Sequence, residues 1–150
     1  MADYMLRPAE PGDVAAMSAL WAQKAALMRQ LDRRYRAAYR DHAHCEASLL
    51  ADLADSQRRV ITAWNRERLV GQIVGALDGP EQAVVLDLTT ELHTSQSGIG
   101  RQLYAHLSPW FVAHGVRQIT LPHVAAWAVE DAFWRAMGAE VNSGVYGITL

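Results

Sequence analysis

The apolar and polar positions of this chain change period repeatedly, and each change marks an element. Tyr4–Arg7 alternates and is stopped by Pro8, which predicts a short first strand. Val14, Met17, Trp21, Met28 and Leu31 then recur at helical spacing as a core-facing stripe, with Asp13 placed to cap the helix. A second helix is predicted over Glu46–Asp55, with Leu49, Leu50 and Leu53 inward. Arg59–Asn65 and Leu69–Leu77 read as a hairpin around a polar Arg66–Arg68 turn. After Asp78-Gly79-Pro80, Ala83–Thr90 is the third strand of a meander. A helix follows from about Gly98 to His114, with Leu103, Leu107, Trp110, Phe111 and His114 inward, Pro109 inside it and Gly115 at its end. Val116–Leu121 is a strand, Trp127–Met137 a short helix ended by Gly138, and Ala139–Asn142 and Val145–Leu150 are two closing strands. A meander followed by a β-α-β crossover implies an α/β (α+β) fold with a mixed sheet and helices on both faces.

Composition keeps that picture simple. The chain has 150 residues, 51% hydrophobic and 20% charged, which suits one domain with a core of its own. A net charge of −2 gives no positive field for nucleic acid or an anionic membrane. No apolar run reaches the roughly 20 residues of a membrane helix, and the first residues lack a secretion pattern. The expectation is a soluble, cytoplasmic protein with no membrane and no nucleic-acid partner. The single cysteine, Cys45, excludes an intrachain disulfide and a cysteine-built zinc site, so no metal is expected.

The segment that carries chemistry is Ser95-Gln96-Ser97-Gly98-Ile99-Gly100-Arg101, between a strand and a helix. Its glycines let the backbone turn and approach a ligand, and the first amides of a helix have no internal partners. A phosphate or diphosphate suits that positive end, and Arg101 adds a cation. Glycines serving only a tight turn are the plain alternative. A dinucleotide fingerprint requires a third glycine or alanine where Leu103 stands, and a nucleotide P-loop requires Gly-Lys-Ser/Thr where Gly100-Arg101-Gln102 stands. A dinucleotide-binding regulator is therefore disfavoured.

The order of pieces resembles the GNAT N-acetyltransferase superfamily along nearly the whole chain. MLRPAEPGDV is similar to its opening strand and turn, RERLVGQIVGAL to its second hairpin with glycines at Gly71 and Gly75, SGIGRQLYAHL to its glycine loop and helix, and AFWRAMGAE to its later helix motif. The resemblance implies a mostly antiparallel sheet of six or seven strands, splayed between the fourth and fifth. It implies acetyl-CoA as co-substrate, its diphosphate on the amides from Ser95 to Arg101 and its pantetheine arm along Leu88, Thr89 and Thr90 like an added strand. It also implies an amine-bearing acceptor attacked directly in a ternary complex, and a homodimer through the closing strands.

Several usual positions differ. Ser95 stands for Gln or Arg, Trp127 for an Asn, Val84 for a Glu, and Trp134 for the tyrosine that serves as general acid. An indole N–H donates a hydrogen bond but supplies no proton, so Trp134 is expected to fill space beside the cofactor. The candidates left for catalysis are Asp87, Glu91, His123 and Tyr104. Asp87 is expected on one face with Val85 and Thr89, either holding the amine or as an ordinary sheet residue. Glu91 closes the strand and His123 follows the next one. Tyr104 offers a replacement acid, or simple packing. These departures keep a second function in view, a catalytically weak acyl-CoA-binding module. Arg29, Arg33, Arg34, Arg36 and Arg40 form a local basic cluster, read mainly as a solvated helix face and alternatively as a site for an anionic acceptor or the CoA phosphate, and Tyr35 and Tyr39 make a small aromatic patch.

Overall fold

In the computed structural model the described residues are 4–33, 35, 37–91, 98–121, 128–142 and 145–150. The strands are β1 (Met5–Pro8), β2 (Arg58–Asn65), β3 (Arg68–Leu77), β4 (Gln82–Thr90), β5 (Gln118–Leu121), β6 (Glu140–Asn142) and β7 (Val145–Thr149). The helices are α1 (Val14–Leu31), α2 (His42–Ala54), α3 (Ile99–Ala113) and α4 (Ala128–Ala136), with a 3-10 turn at Pro11–Asp13 before α1. The strands form one sheet in the order β1-β2-β3-β4-β5-β7-β6. Every neighbouring pair is antiparallel except β4 and β5, which α3 joins as a parallel crossover. Among the described residues, no helix is long and apolar enough to cross a membrane.

The two sheet faces are covered by different helices. Val14, Met17 and Trp21 of α1 and Cys45 and Leu49 of α2 pack on Val60, Leu69 and Val74. Leu103, Leu107 and Phe111 of α3, with Trp134 of α4, pack on Ile61, Ile73, Val85 and Leu88 of the opposite face. Each such side chain, fully buried, contributes about 1.5–3 kcal/mol. Gly71 and Gly75 bring α3 close. A Cβ on Gly71 would lie 2.8 Å from Ile99 Cγ2, and one on Gly75 would lie 2.9 Å from both Leu107 Cδ1 and Phe111 Cζ. The glycine spacing on β3 thus matches successive turns of the helix laid across it.

Some positions face differently from the periodic reading. Leu31 is exposed because α1 ends there and Asp32 is already extended. Leu50 is exposed because it lies about 100° around the helix from the Cys45–Leu49–Leu53 stripe. His114 is also exposed, at the cap of α3, with Nδ1 2.8 Å from the Trp110 carbonyl. There the Val116 N–H reaches back to the Phe111 carbonyl, and Gly115 takes the left-handed conformation that closes the helix. Asp13 makes no side-chain cap to α1. Its carboxylate instead receives two hydrogen bonds from Arg7, at 2.7 and 3.0 Å, and one from the Glu10 N–H at 2.8 Å.

Candidate functional site

The β4–β5 ladder is short. It runs from Gln82↔Gln118 to Val84↔Thr120, so among the described residues Val85–Thr90 continues with no partner on that side. A bulge sits just beyond the last pair. Val74 faces Asp87 and Gly75 faces Val85, which leaves Leu86 as the extra residue of β4, 45% exposed.

The bulge reverses the side-chain alternation. Val85 and Leu88 both face α3, whereas Asp87 and Thr89 face α1. The expectation that Asp87 shares a face with Val85 is therefore corrected, while its pairing with Thr89 stands. On the α1 side Asp87 accepts from Thr89 Oγ1 at 2.9 Å and from Gln72 Nε2 at 3.3 Å, and Lys24 Nζ of α1 lies 3.7 Å away. Gln72 is 1% exposed and its Oε1 has no partner among the described residues. Tyr39, edge-on to Trp21, lies close enough that the Asp87 charge adds to burial in pushing its phenol above the usual range.

The main-chain groups of β4 alternate too. The Glu91 N–H bonds the Val70 carbonyl of β3, so in the antiparallel ladder Thr89 and Asp87 also bond to β3. Leu88 and Thr90 then present their N–H and C=O groups to the unpartnered side. Into that side reaches Lys24, whose Nζ donates to the Leu88 carbonyl at 2.6 Å.

The first turn of α3 adjoins this edge. Gly98 holds φ +87°, makes no side-chain cap, and a Cβ there would meet nothing within 4 Å. Ile99 is buried with its methyl against Gly71, and Gly100 lies under the Phe133 ring. Arg101 is exposed. The amides of Ile99, Gly100 and Arg101 are the helix-start donors that lack partners within the helix.

Other predicted site residues fall elsewhere. Glu91 is 9% exposed and its Oε2 is 2.6 Å from Arg68 Nη1, so its carboxylate is held in an ion pair at the strand's end. Tyr104 is a core residue, 8% exposed and edge-on to Trp134, and burial pushes its phenol up, away from a role as acid near neutrality. Trp134 is wholly buried between Tyr104 and Phe133, with Nε1 unpartnered, so it offers a cofactor no surface in this arrangement. Ser95, Gln96, Ser97 and His123 lie outside the described residues, as do Arg34, Arg36 and Trp127. Cys45 is fully buried and its thiol is pushed up to about 11, mainly by burial, which makes it a poor nucleophile. Tyr35 and Tyr39 belong to the core under α1 and α2, and Arg29, Arg33 and Arg40 are exposed. Among the described residues, no group of three His, Cys, Asp or Glu side chains could hold a metal.

Lys24 and Gln72 are the site neighbours that periodicity alone passes over. The signal for Lys24 is positional, because it stands three residues after Trp21 and four before Met28, on the apolar stripe itself.

Solved acetyltransferase structures share the overall fold of this chain. An acetyltransferase from Thermus thermophilus matches with a TM-score of 0.77 at 20% identity, over 98% of this chain and 97% of that one. The PaiA N-acetyltransferase of Thermoplasma acidophilum, solved in complex with coenzyme A, matches at 0.82 and 15% identity, over 99% of both chains. A GNAT-family acetyltransferase from Staphylococcus aureus matches at 0.82 and 11% identity, again over 99% of both. The fold is that of the GNAT acetyltransferases. No protein-family model and no curated protein sequence matches the chain. Within the GNAT fold, the short β4–β5 ladder is the splay that the resemblance implies.

Proposed function

We propose that this chain is an N-acetyltransferase that moves an acetyl group from acetyl-CoA to a primary amine by direct attack in a ternary complex. The observation that carries this reading is the first turn of α3, opened by the left-handed Gly98, beside the edge of β4 that has no partner strand among the described residues. Amides there suit a diphosphate, and the exposed Arg101 adds charge. The Leu88 N–H and the Thr90 main-chain groups that face this edge suit an extended amide-bearing arm laid along the strand. Bound acetyl-CoA supplies an activated acyl carbon. The protein's part is to hold that carbon and the amine in register and to set the charges around them. We assign the amine to Asp87, whose carboxylate accepts from Thr89 and Gln72 next to this edge, a reading supported by those contacts.

The burial of Tyr104 and Trp134 supports a second reading, a GNAT-like acyl-CoA-binding module with weak turnover. Thermal unfolding tests both, because a ligand of the native state raises its stability. Acetyl-CoA at about 100 times its Kd should add about 2.7 kcal/mol, whereas NAD should add nothing. No response to any CoA thioester rejects both readings. A response to acetyl-CoA with no free CoA released across a broad amine panel favours the binding module.

A further inference from the structure

The lysine on the apolar stripe of α1 reaches past the Asp87 carboxylate to a main-chain carbonyl of β4. A salt bridge formed for its own sake places the ammonium on the carboxylate at about 2.7–2.9 Å. Lys24 Nζ is 3.7 Å from Asp87 Oδ1 but 2.6 Å from the Leu88 carbonyl. The side chain, 11% exposed, extends past the carboxylate to the unpartnered edge of β4. Placing a cation so deep is unfavourable unless it is paired, and Asp87 and the carbonyl provide that pairing. The result is a fixed positive charge on the open side of the sheet, where the described tyrosine and tryptophan provide none.

We propose that Lys24 is the anion-stabilising residue of the transfer site. The inference rests on the acetyl-CoA reading above. In transfer to an amine, the nitrogen lone pair forms the C–N bond, the C–S bond breaks with its electron pair on sulfur, and the surplus amine proton passes to water. The negative charge left on sulfur is the one a fixed ammonium at this edge stabilises. Asp87 of β4 is a carboxylate beside that ammonium, and the Tyr39 phenol lies near Asp87 in turn. Asp87 opposes the effect, and the lysine's reach beyond that carboxylate to the Leu88 carbonyl favours it.

The test reads the thiol of bound CoA directly, by the ultraviolet absorbance of its thiolate as pH is raised. The proteins compared are the wild type, Lys24→Met and Lys24→Arg, each saturated with CoA. With the cation present, in the wild type and K24R, the bound thiol should ionise about 1 pH unit or more below its position in K24M. Should K24M fail to fold, the double variant K24M/D87N, which removes both charges together, carries the same comparison against D87N alone. Equal thiol titration in proteins with and without the lysine, all of which bind CoA, overturns the role of Lys24 and leaves the acetyl-CoA reading intact. Failure of the wild type to bind CoA overturns that reading and this inference together.

Discussion

Replacing Gly98 separates the conformational demand of the first turn of α3 from its electrostatics. The residue sits at φ +87°, and a Cβ built on it meets nothing within 4 Å. Gly98→Ala therefore introduces no clash, only the left-handed strain of an L-residue, about 1–2 kcal/mol. In a chain of this size that lowers the melting temperature by roughly 2–8 °C. Gly98→Asp carries less strain, because aspartate enters the left-handed region several-fold more readily. Its carboxylate also lies at the positive end of α3, a favourable placement by about 0.3–1 kcal/mol. On stability alone, the aspartate variant should match or exceed the alanine one. Ligand affinity should order them the other way. A carboxylate about 4 Å from a phosphate is repelled by about 1 kcal/mol in water and about 4 kcal/mol at an effective dielectric constant near 20. At about 1.4 kcal/mol per decade, the middle of that range is a tenfold loss or more. Isothermal titration of acetyl-CoA into the wild type and both variants measures it. The alanine variant should bind within a few-fold of wild type, and the aspartate variant at least about tenfold more weakly, with a gap that narrows as salt screens the repulsion. If the aspartate variant binds acetyl-CoA as tightly as the alanine variant, the diphosphate does not lie on this turn.

Two further predictions concern the frame around the site. Gly75→Val puts new atoms against Leu107 and Phe111, both wholly buried, and overpacking of this kind costs about 1–3 kcal/mol. A urea midpoint equal to wild type would show that α3 does not press on β3 there. Asp13→Asn weakens the Arg7 pairing, at a cost of about 1.5 kcal/mol. Hydrogen bonds from Arg7, with smaller help from the Glu10 N–H and the Arg7 charge, hold the Asp13 carboxyl below its ordinary value of 3.8. A depressed folded value means the contribution is complete above the unfolded value and is lost as pH falls through the folded one. The wild-type advantage over the variant, read from urea midpoints, should hold from neutrality to about pH 4 and shrink below it. An advantage that persists unchanged into stronger acid would refute the pairing as its source.

The strands were legible in the sequence because turn residues bound them. Asp78-Gly79-Pro80 and Gly115 punctuate the chain where β4 and β5 begin, and the hairpin read over Arg59–Asn65 and Leu69–Leu77 forms, with one register shift between Ala63 and Trp64. Gly71 and Gly75 were visible as a spacing, but their reason needs α3 in place, since it is Ile99, Leu107 and Phe111 that fill the room a side chain would take. The edge-on contact of Tyr104 with Trp134 needs the same context, as it joins α3 to a distant helix that no local pattern links to it. The face of Asp87 was not legible at all. Strict alternation puts it with Val85, and one extra residue at Leu86 turns it to Lys24, Gln72 and Thr89 instead. That same bulge lies two residues past the last β4–β5 pair, so the local irregularity that defeats the period is found where the sheet opens. A regular β4 would keep Asp87 on the side of α3, where the apolar core leaves no place for its charge. The bulge moves the carboxylate within reach of a cation from α1, and the edge beside it gains both a charge pair and unpartnered main-chain groups. The departure from pattern is thus what gives this edge its chemistry.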